Sequence, residues 1–316
     1  MPAQQILFVK LSSLGDVIHH LPAVTDLARH RPAARICWAV EEAYADLVRL
    51  HPSVAESIPV GLRSLRRHPL RMERWRRLAA TARALRSRRW DYVVDTQGLL
   101  KSALVARAAP GRRYGPDGAS AREAIAASFY DERIAVPREL HAVERNRRLV
   151  AAVFGYAVEG PADYGLELPP YPPLWAPRRR FAVMLHAASR AGKQWPDDKW
   201  VELARRLSRH GYATVFPGGT EAERVAAARL ALLVPGAIAA PPMDLWVAAT
   251  LLAHADFVVG VDTGLTHLAV ALEKTTVGIY RATDPALTGL HGESGVSLGG
   301  AGREPAVDDV IAVLAP

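Results

Sequence analysis

Seven short apolar runs punctuate the chain: QILFV (5–9), RICWAV (35–40), DYVVDTQ (91–97), FAVMLH (181–186), ATVFPG (213–218), DFVVGVD (256–262) and TTVGIY (275–280). Their near-continuous hydrophobicity, without the alternation of a half-exposed strand, predicts strands buried on both faces. Helical segments separate most of them, and the combination predicts parallel sheets built from βαβ units. The rhythm breaks once, at GPADYGLELPPYPPLWAPRRR (160–180), where proline density excludes regular helix or central strand and marks a linker. The expected architecture is α/β: two doubly wound Rossmann-like domains, residues 1–165 and 171–316, joined near residue 170. Ligands of such sheets bind beyond the carboxyl ends of strands. The polar residues that follow each run are therefore the candidates for chemistry.

Half of the 316 residues are hydrophobic and 23% are charged, a soluble globular composition. The single cysteine, Cys37, excludes an intramolecular disulfide and suits a reducing compartment. No Cys/His cluster has zinc spacing. The N-terminus has no apolar stretch preceded by positive charge, and no apolar run is long enough to span a bilayer, so a cytoplasmic location is expected. The net charge of +8 belongs to one half: residues 1–170 hold 26 Lys+Arg against 18 Asp+Glu, residues 171–316 hold 14 against 14. It is densest between Leu62 and Trp90, with eleven arginines and one acid, Glu73. Trp75, Leu78, Ala79, Ala82 and Leu85 in this stretch have helical spacing and predict an amphipathic helix. The remaining imbalance predicts an anionic partner met by the first half alone.

Four strand ends carry candidate chemistry. After Val9 the chain passes through a polar turn, Ser12-Ser13-Leu14-Gly15-Asp16, into a helical pattern with Pro22 in its first turns. A carboxylate at that handover is either a cap, stabilised by free amides and the helix dipole, or a base at the mouth of a cleft. After FAVMLH, a loop with Ser189, Arg190 and Lys193 offers a hydroxyl, amides and a cation to a diphosphate. Lys193 is one of five lysines against 35 arginines, which favours a compact point charge there. After DFVVGVD, the turn Asp262-Thr263-Gly264 opens a helix carrying Thr266 and His267, whose first N–H groups suit an anion. Asp262 itself would be repelled by that anion and is expected to cap the helix or hold a sugar hydroxyl. Glu221 and Glu223, after the Gly-Gly turn at 218–219, are either ribose ligands or surface helix residues. No Asp-x-Asp pair occurs to hold a divalent cation, so Lys193 and helix N-termini are expected to stabilise a leaving diphosphate. Neither a G-x-G-x-x-G after a strand nor a Walker A loop is present.

The blocks VKLSSLGDVIHHLPAV, WAVEEAYADL, DTQGLLKSALVAR, HAVERNR, LHAASRAGKQWP and VDTGLTHLAVAL, in that order, resemble the lipopolysaccharide heptosyltransferases of glycosyltransferase family 9, most closely the type I members. The resemblance covers nearly the whole chain. It implies a GT-B fold with the two domains facing across a cleft. It implies an N-terminal acceptor domain and a C-terminal ADP-heptose domain whose last helix is free to pack back on the first. The implied reaction is inverting transfer from ADP-L-glycero-D-manno-heptose to the first Kdo of Kdo2-lipid A, without metal or cofactor. The implied location is the cytoplasmic face of the inner membrane, with the membrane surface and no nucleic acid as partner.

On this pattern Asp16 is the general base and Lys193 stabilises the leaving group. Donor contacts fall on Ser189, Lys193, Glu223 (with Glu221 as the alternative), Met243, Asp262, Thr263, Gly264 and His267. Acceptor contacts fall on Ser13, Arg63, Arg66, Arg67, Lys101, Arg122, His141 and Arg145. One departure is Ala188-Ser189, where relatives carry adjacent hydroxyl residues. The rival readings are a heptosyltransferase for a later core position and a non-catalytic binder of anionic glycolipid. The second leaves the diphosphate turns unexplained.

Overall fold

Ile6, Leu7, Phe8 and Val9 are completely buried, as expected of a strand covered on both faces, and they centre the first sheet. The computed structural model describes residues 3–62, 72–167, 170–188 and 190–316. The chain divides into two units, Met1–Glu167 and Leu168–Pro316, each built on a six-stranded parallel sheet. In the first, β1 (Gln5–Val9), β2 (Arg35–Glu41), β3 (Val54–Val60), β4 (Trp90–Asp95), β5 (Gly111–Pro116) and β6 (Glu132–Ile134) lie in the order β3-β2-β1-β4-β5-β6. In the second, β7 (Phe181–Leu185), β8 (Ala213–Phe216), β9 (Ile238–Ala239), β10 (Phe257–Val261), β11 (Thr276–Tyr280) and β12 (Gly295–Gly299) lie in the order β12-β11-β10-β7-β8-β9. The strand order reverses between β1 and β4 in one unit and between β7 and β10 in the other. Those two reversals are where a parallel sheet leaves a crevice.

The seven apolar runs are seven of the twelve strands. The other five are edge or near-edge strands, where one side of the ladder or one face meets water and a continuous apolar run is not needed. β3 contains Glu56, Ser57 and Pro59, β5 is rich in glycine and arginine, and β6, β9 and β12 are short or half-exposed. Residues 160–167 and 170–180 contain neither helix nor strand. The helix Val307–Leu314 places Val307, Val310 and Leu314 in the core of the second unit beside Leu203 and Ile279.

The arginine-rich stretch yields a helix, Met72–Arg86, and Arg63, Arg66 and Arg67 lie outside the described residues. Its inner face is the predicted one in part: Leu78 and Ala82 are half-buried, while Ala79 is exposed. Leu85 is buried and Thr81 is buried, donating its hydroxyl to the Pro59 carbonyl at 2.8 Å, but Trp75 is 54% exposed. The apolar spacing located the helix but missed Thr81, which satisfies a backbone acceptor and so can face inward.

One buried ion pair ties the first unit together. Arg147, on the helix Ala142–Phe154, donates to Asp26 on the helix Leu21–His30 at 2.7 and 3.3 Å. Its remaining donors reach Glu144, the Gly160 carbonyl and the Glu159 carbonyl at 3.2, 3.1 and 2.9 Å. A guanidinium satisfied this fully is tolerated in the interior, whereas an unpaired Asp26 is not. Arg147→Met should therefore cost about 3–5 kcal/mol of unfolding free energy. The double variant Asp26→Leu/Arg147→Met should recover most of that loss in urea titrations.

Candidate active site

Lys10, Leu11 and Ser12 carry the chain from the end of β1 to the helix Leu14–Ile18, and Asp16 is the third residue of that helix. Its carboxylate folds back on the turn: Oδ2 accepts from the Ser13 N–H at 2.7 Å and from the Ser13 hydroxyl at 3.2 Å. Arg122 reaches both oxygens, at 3.2 and 3.3 Å. Burial acts to raise the Asp16 pKa, but Lys10, Arg122 and the Ser13 donors outweigh it and hold the carboxyl below its ordinary value. The residue is thus both part of the helix start and an ionised, partly exposed carboxylate.

Other acceptor-side candidates gather around it. Arg145 stands one turn from His141 on the same helix, and its guanidinium lies within the electrostatic field of Arg122, Arg138 and Asp16. His141 caps that helix, its Nδ1 accepting from the Val143 N–H at 3.2 Å, and its ring meets His19 edge-on. Lys101 donates to the Ser12 hydroxyl at 2.9 Å. The residues singled out from the sequence did not include Lys10 or Gln97. Lys10 is buried beneath the turn and donates to the Thr96 carbonyl at 2.8 Å and to Asn146 Oδ1 at 3.1 Å. Burial lowers its pKa to about 8, against the pull of Asp16. The scarcity of lysine that marked Lys193 marks Lys10 equally, at the end of a buried run.

In the second unit the crevice between β7 and β10 holds an ion pair. Lys193, in the single turn Ala191–Lys193, donates to Asp262 Oδ2 at 2.5 Å. The Thr283 hydroxyl, absent from the sequence candidates, donates to the same oxygen at 2.7 Å, and His267 Nε2 lies 3.7 Å from Oδ1. Burial would raise the Asp262 carboxyl, but His267, Lys193 and Thr283 hold it well below the usual carboxylate range. Asp262 does not cap the helix Gly264–Ala271, which corrects one expectation; Thr263 is the N-cap residue, and its hydroxyl turns to Thr266 Oγ1 at 3.2 Å. The Thr263 side chain makes no capping hydrogen bond to the first N–H groups of this helix.

Glu223 turns its Oε2 onto the N–H groups of Gly219 and Thr220 at 2.8 and 2.9 Å. Gly218 is needed there, since a Cβ would come within 2.7 Å of the Glu223 backbone. Glu221 points away, paired with Arg224 at 2.5 Å. Met243 is half-buried in the loop before Asp244, which caps the helix Leu245–Ala253 through the Val247 N–H at 2.8 Å. Ser189 lies outside the described residues. Among the described residues no group of three or more His, Cys, Asp or Glu is placed to hold a metal ion.

Two units, each on a parallel six-stranded sheet with charged residues at its topological reversal, have the α/β architecture of the GT-B glycosyltransferases. The profile of Glycosyltransferase family 9 (heptosyltransferase) matches residues 78–309. Lipopolysaccharide heptosyltransferase 1 of Pseudomonas aeruginosa is 41% identical over 93% of this chain and 83% of its own length. E. coli heptosyltransferase WaaC with ADP superposes with a TM-score of 0.91 at 36% identity, covering 98% of each chain. The same protein with ADP-2-deoxy-2-fluoro heptose gives 0.88 at 35% identity, again over 98% of each. The chain belongs to glycosyltransferase family 9, the heptosyltransferases.

The Asp16–Arg122 pair has a measurable signature. Because the folded Asp16 carboxyl titrates below the unfolded value of about 3.9, it adds stability that is complete above that pH. This contribution disappears as pH falls through the folded pKa. Arg122→Gln should move the Asp16 carboxyl upward in a carbon-detected NMR titration and shrink the acid-side loss of stability. An unchanged titration would mean that Arg122 does not govern the charge of Asp16.

Proposed function

We propose that this enzyme transfers L-glycero-D-manno-heptose from ADP-heptose to the first Kdo of Kdo2-lipid A, with inversion, without a metal ion and with Asp16 as general base. The observation that carries this reading is the state of Asp16: ionised, partly exposed, and surrounded by Lys10, Arg122 and Arg145. An ionised carboxylate can take the proton of an attacking hydroxyl, and the cations suit the carboxylates and phosphates of a Kdo-bearing lipid acceptor. In the reaction the acceptor hydroxyl loses its proton to Asp16 as its oxygen bonds to the anomeric carbon, and ADP departs from the opposite face. Negative charge growing on the diphosphate is met by Lys193 and the first N–H groups of the helix Gly264–Ala271. Asp262 holds Lys193 in place, and Glu223 and Met243 serve the ribose and adenine. The lipopolysaccharide heptosyltransferases 1 among the relatives and WaaC with an ADP-heptose analogue support an ADP-heptose donor and a lipopolysaccharide acceptor.

Membrane contact at the cytoplasmic face is part of this reading. No helix among the described residues is long and apolar enough to cross a membrane. On the helix Leu100–Ala108, however, Leu104 is 51% exposed, and Ile125, three residues after Arg122, is 61% exposed. The Leu100 N–H donates to Glu123 at 2.7 Å, which joins the start of the helix Leu100–Ala108 to the turn bearing Arg122 and Ile125. An apolar rim set among Lys101, Arg107 and Arg122 matches an anionic lipid surface.

Asp16→Asn keeps the size and most of the capping capacity of the side chain and removes the base. Turnover, followed as acceptor-dependent ADP release, should fall by about 10²- to 10⁴-fold while calorimetric ADP affinity holds. EDTA should leave the parent rate unchanged. Near-normal turnover in Asp16→Asn would return the residue to a purely structural role. Leu104→Ser/Ile125→Ser should weaken sedimentation with anionic vesicles by roughly tenfold and spare turnover on a deacylated acceptor. Undiminished vesicle binding would remove that rim from the membrane surface.

A further inference from the structure

The DTQGLLKS segment contains a side chain that the chemistry above does not use. Gln97 follows β4 and is 2% exposed, next to the turn that carries Asp16. The ladder between β1 and β4 ends at the pair Val9–Asp95. Beyond it the β1 chain stays bonded to β2, through the Lys10 N–H to the Ala39 carbonyl at 3.2 Å and the Glu41 N–H to the Leu11 carbonyl at 3.1 Å, but its backbone groups on the β4 side lose their strand partner. The primary amide of Gln97 takes over. The Leu11 N–H donates to Gln97 Oε1 at 2.6 Å, and Gln97 Nε2 donates to the Ser12 carbonyl at 2.7 Å. A side-chain amide thus does the work of one more peptide unit and carries the pairing up to the residue before Ser13.

Gln97 is itself anchored from behind. Its N–H donates to Asp95 Oδ1 at 2.8 Å, and Tyr130 donates its phenol to Asp95 Oδ2 at 2.8 Å. Asp95 has no solvent exposure. Gly98 then adopts φ +64°, and a Cβ there would come within 2.8 Å of Pro116, so the chain turns away immediately after the clamp. The line of contact runs from Tyr130 through Asp95 and Gln97 to Ser12, then by one peptide bond to Ser13, whose N–H donates to Asp16 at 2.7 Å.

We infer that Gln97 is a positioning residue for Asp16: it clamps the Leu11–Ser12 backbone and thereby fixes the aim of the carboxylate. This inference rests on the reading of Asp16 as the base. Misplacement of a reacting group by about 1 Å can cost on the order of 10²-fold in rate, so a clamp on the turn that carries Asp16 is felt in turnover. Binding of ADP, assigned to residues of the second unit, does not depend on it.

Two variants test the clamp. Gln97→Leu keeps the volume and removes both hydrogen bonds; kcat should fall by roughly 10- to 100-fold while the calorimetric Kd for ADP stays within about twofold. Gln97→Glu keeps an acceptor for Leu11, and it donates to the Ser12 carbonyl only when protonated. Its activity should therefore recover on acidification, with a ratio of kcat at about pH 6 to kcat at about pH 8.5 at least tenfold above the parent's. In an Asp16→Asn background, Gln97→Leu should have little further effect, since both changes act through one group.

A kcat for folded Gln97→Leu within about threefold of the parent overturns the inference, as does a Gln97→Glu profile parallel to the parent's. If Gln97→Leu does not fold, the Gln97→Glu profile decides. Normal turnover in Asp16→Asn overturns the base reading itself. Loss of turnover in Asp16→Asn beside a silent Gln97→Leu overturns the clamp alone.

Discussion

Where neighbouring strands of a parallel sheet send their connections to opposite faces, no connection crosses the gap between their carboxyl ends. The crevice that remains is lined by whatever the two strands lead into. This constraint organises both units. In the first, β1 leads to Ser12, Ser13 and Asp16, and β4 leads to Gln97 and Lys101. In the second, β7 leads to Lys193 and β10 leads to Asp262. Strands buried on both faces hold these residues rigidly, and the loops supply the polarity that the sheet excludes.

Three aspartates show how one side chain acquires different roles from its surroundings. Asp16 is partly exposed among cations and is held ionised. Asp262 is held ionised by His267, Lys193 and Thr283 at the edge of a helix N-terminus. Asp95 is fully enclosed, and burial raises its pKa despite the donors Ser102, Tyr130, Gln97 and Gly98. Exposure and partner charge, not residue type, decide which carboxylate can exchange a proton with a substrate. Asp26, locked to Arg147, completes the contrast as a carboxylate whose role is to join two helices.

Much of this plan was readable along the chain. Central strands announced themselves because burial on both faces demands an unbroken apolar run. Edge strands such as β3, with Glu56 and Pro59, did not, because one side of such a strand meets no partner. The helix at Met72–Arg86 was legible, but Trp75 lies outside and Thr81 inside. Hydrophobicity alone does not register that a threonine can satisfy the Pro59 carbonyl. Likewise the chain pattern offers Asp262 as a cap or a ligand of a sugar hydroxyl, and it cannot show that Lys193 reaches it.

By itself the sequence determined what is local: where each buried strand ends, which polar residues come next, and that a helix begins there. Those features follow from periodicity, proline and glycine placement, and backbone hydrogen bonding over a few residues. It therefore named Asp16, Lys193 and the Asp262-Thr263-Gly264 turn as candidates. Only the tertiary structure decided which strand ends meet. Gln97 reaches Leu11 across 86 residues, and Lys193 reaches Asp262 across 69. Such pairs are set by strand order in the sheet, where residues distant along the chain become neighbours about 5 Å apart.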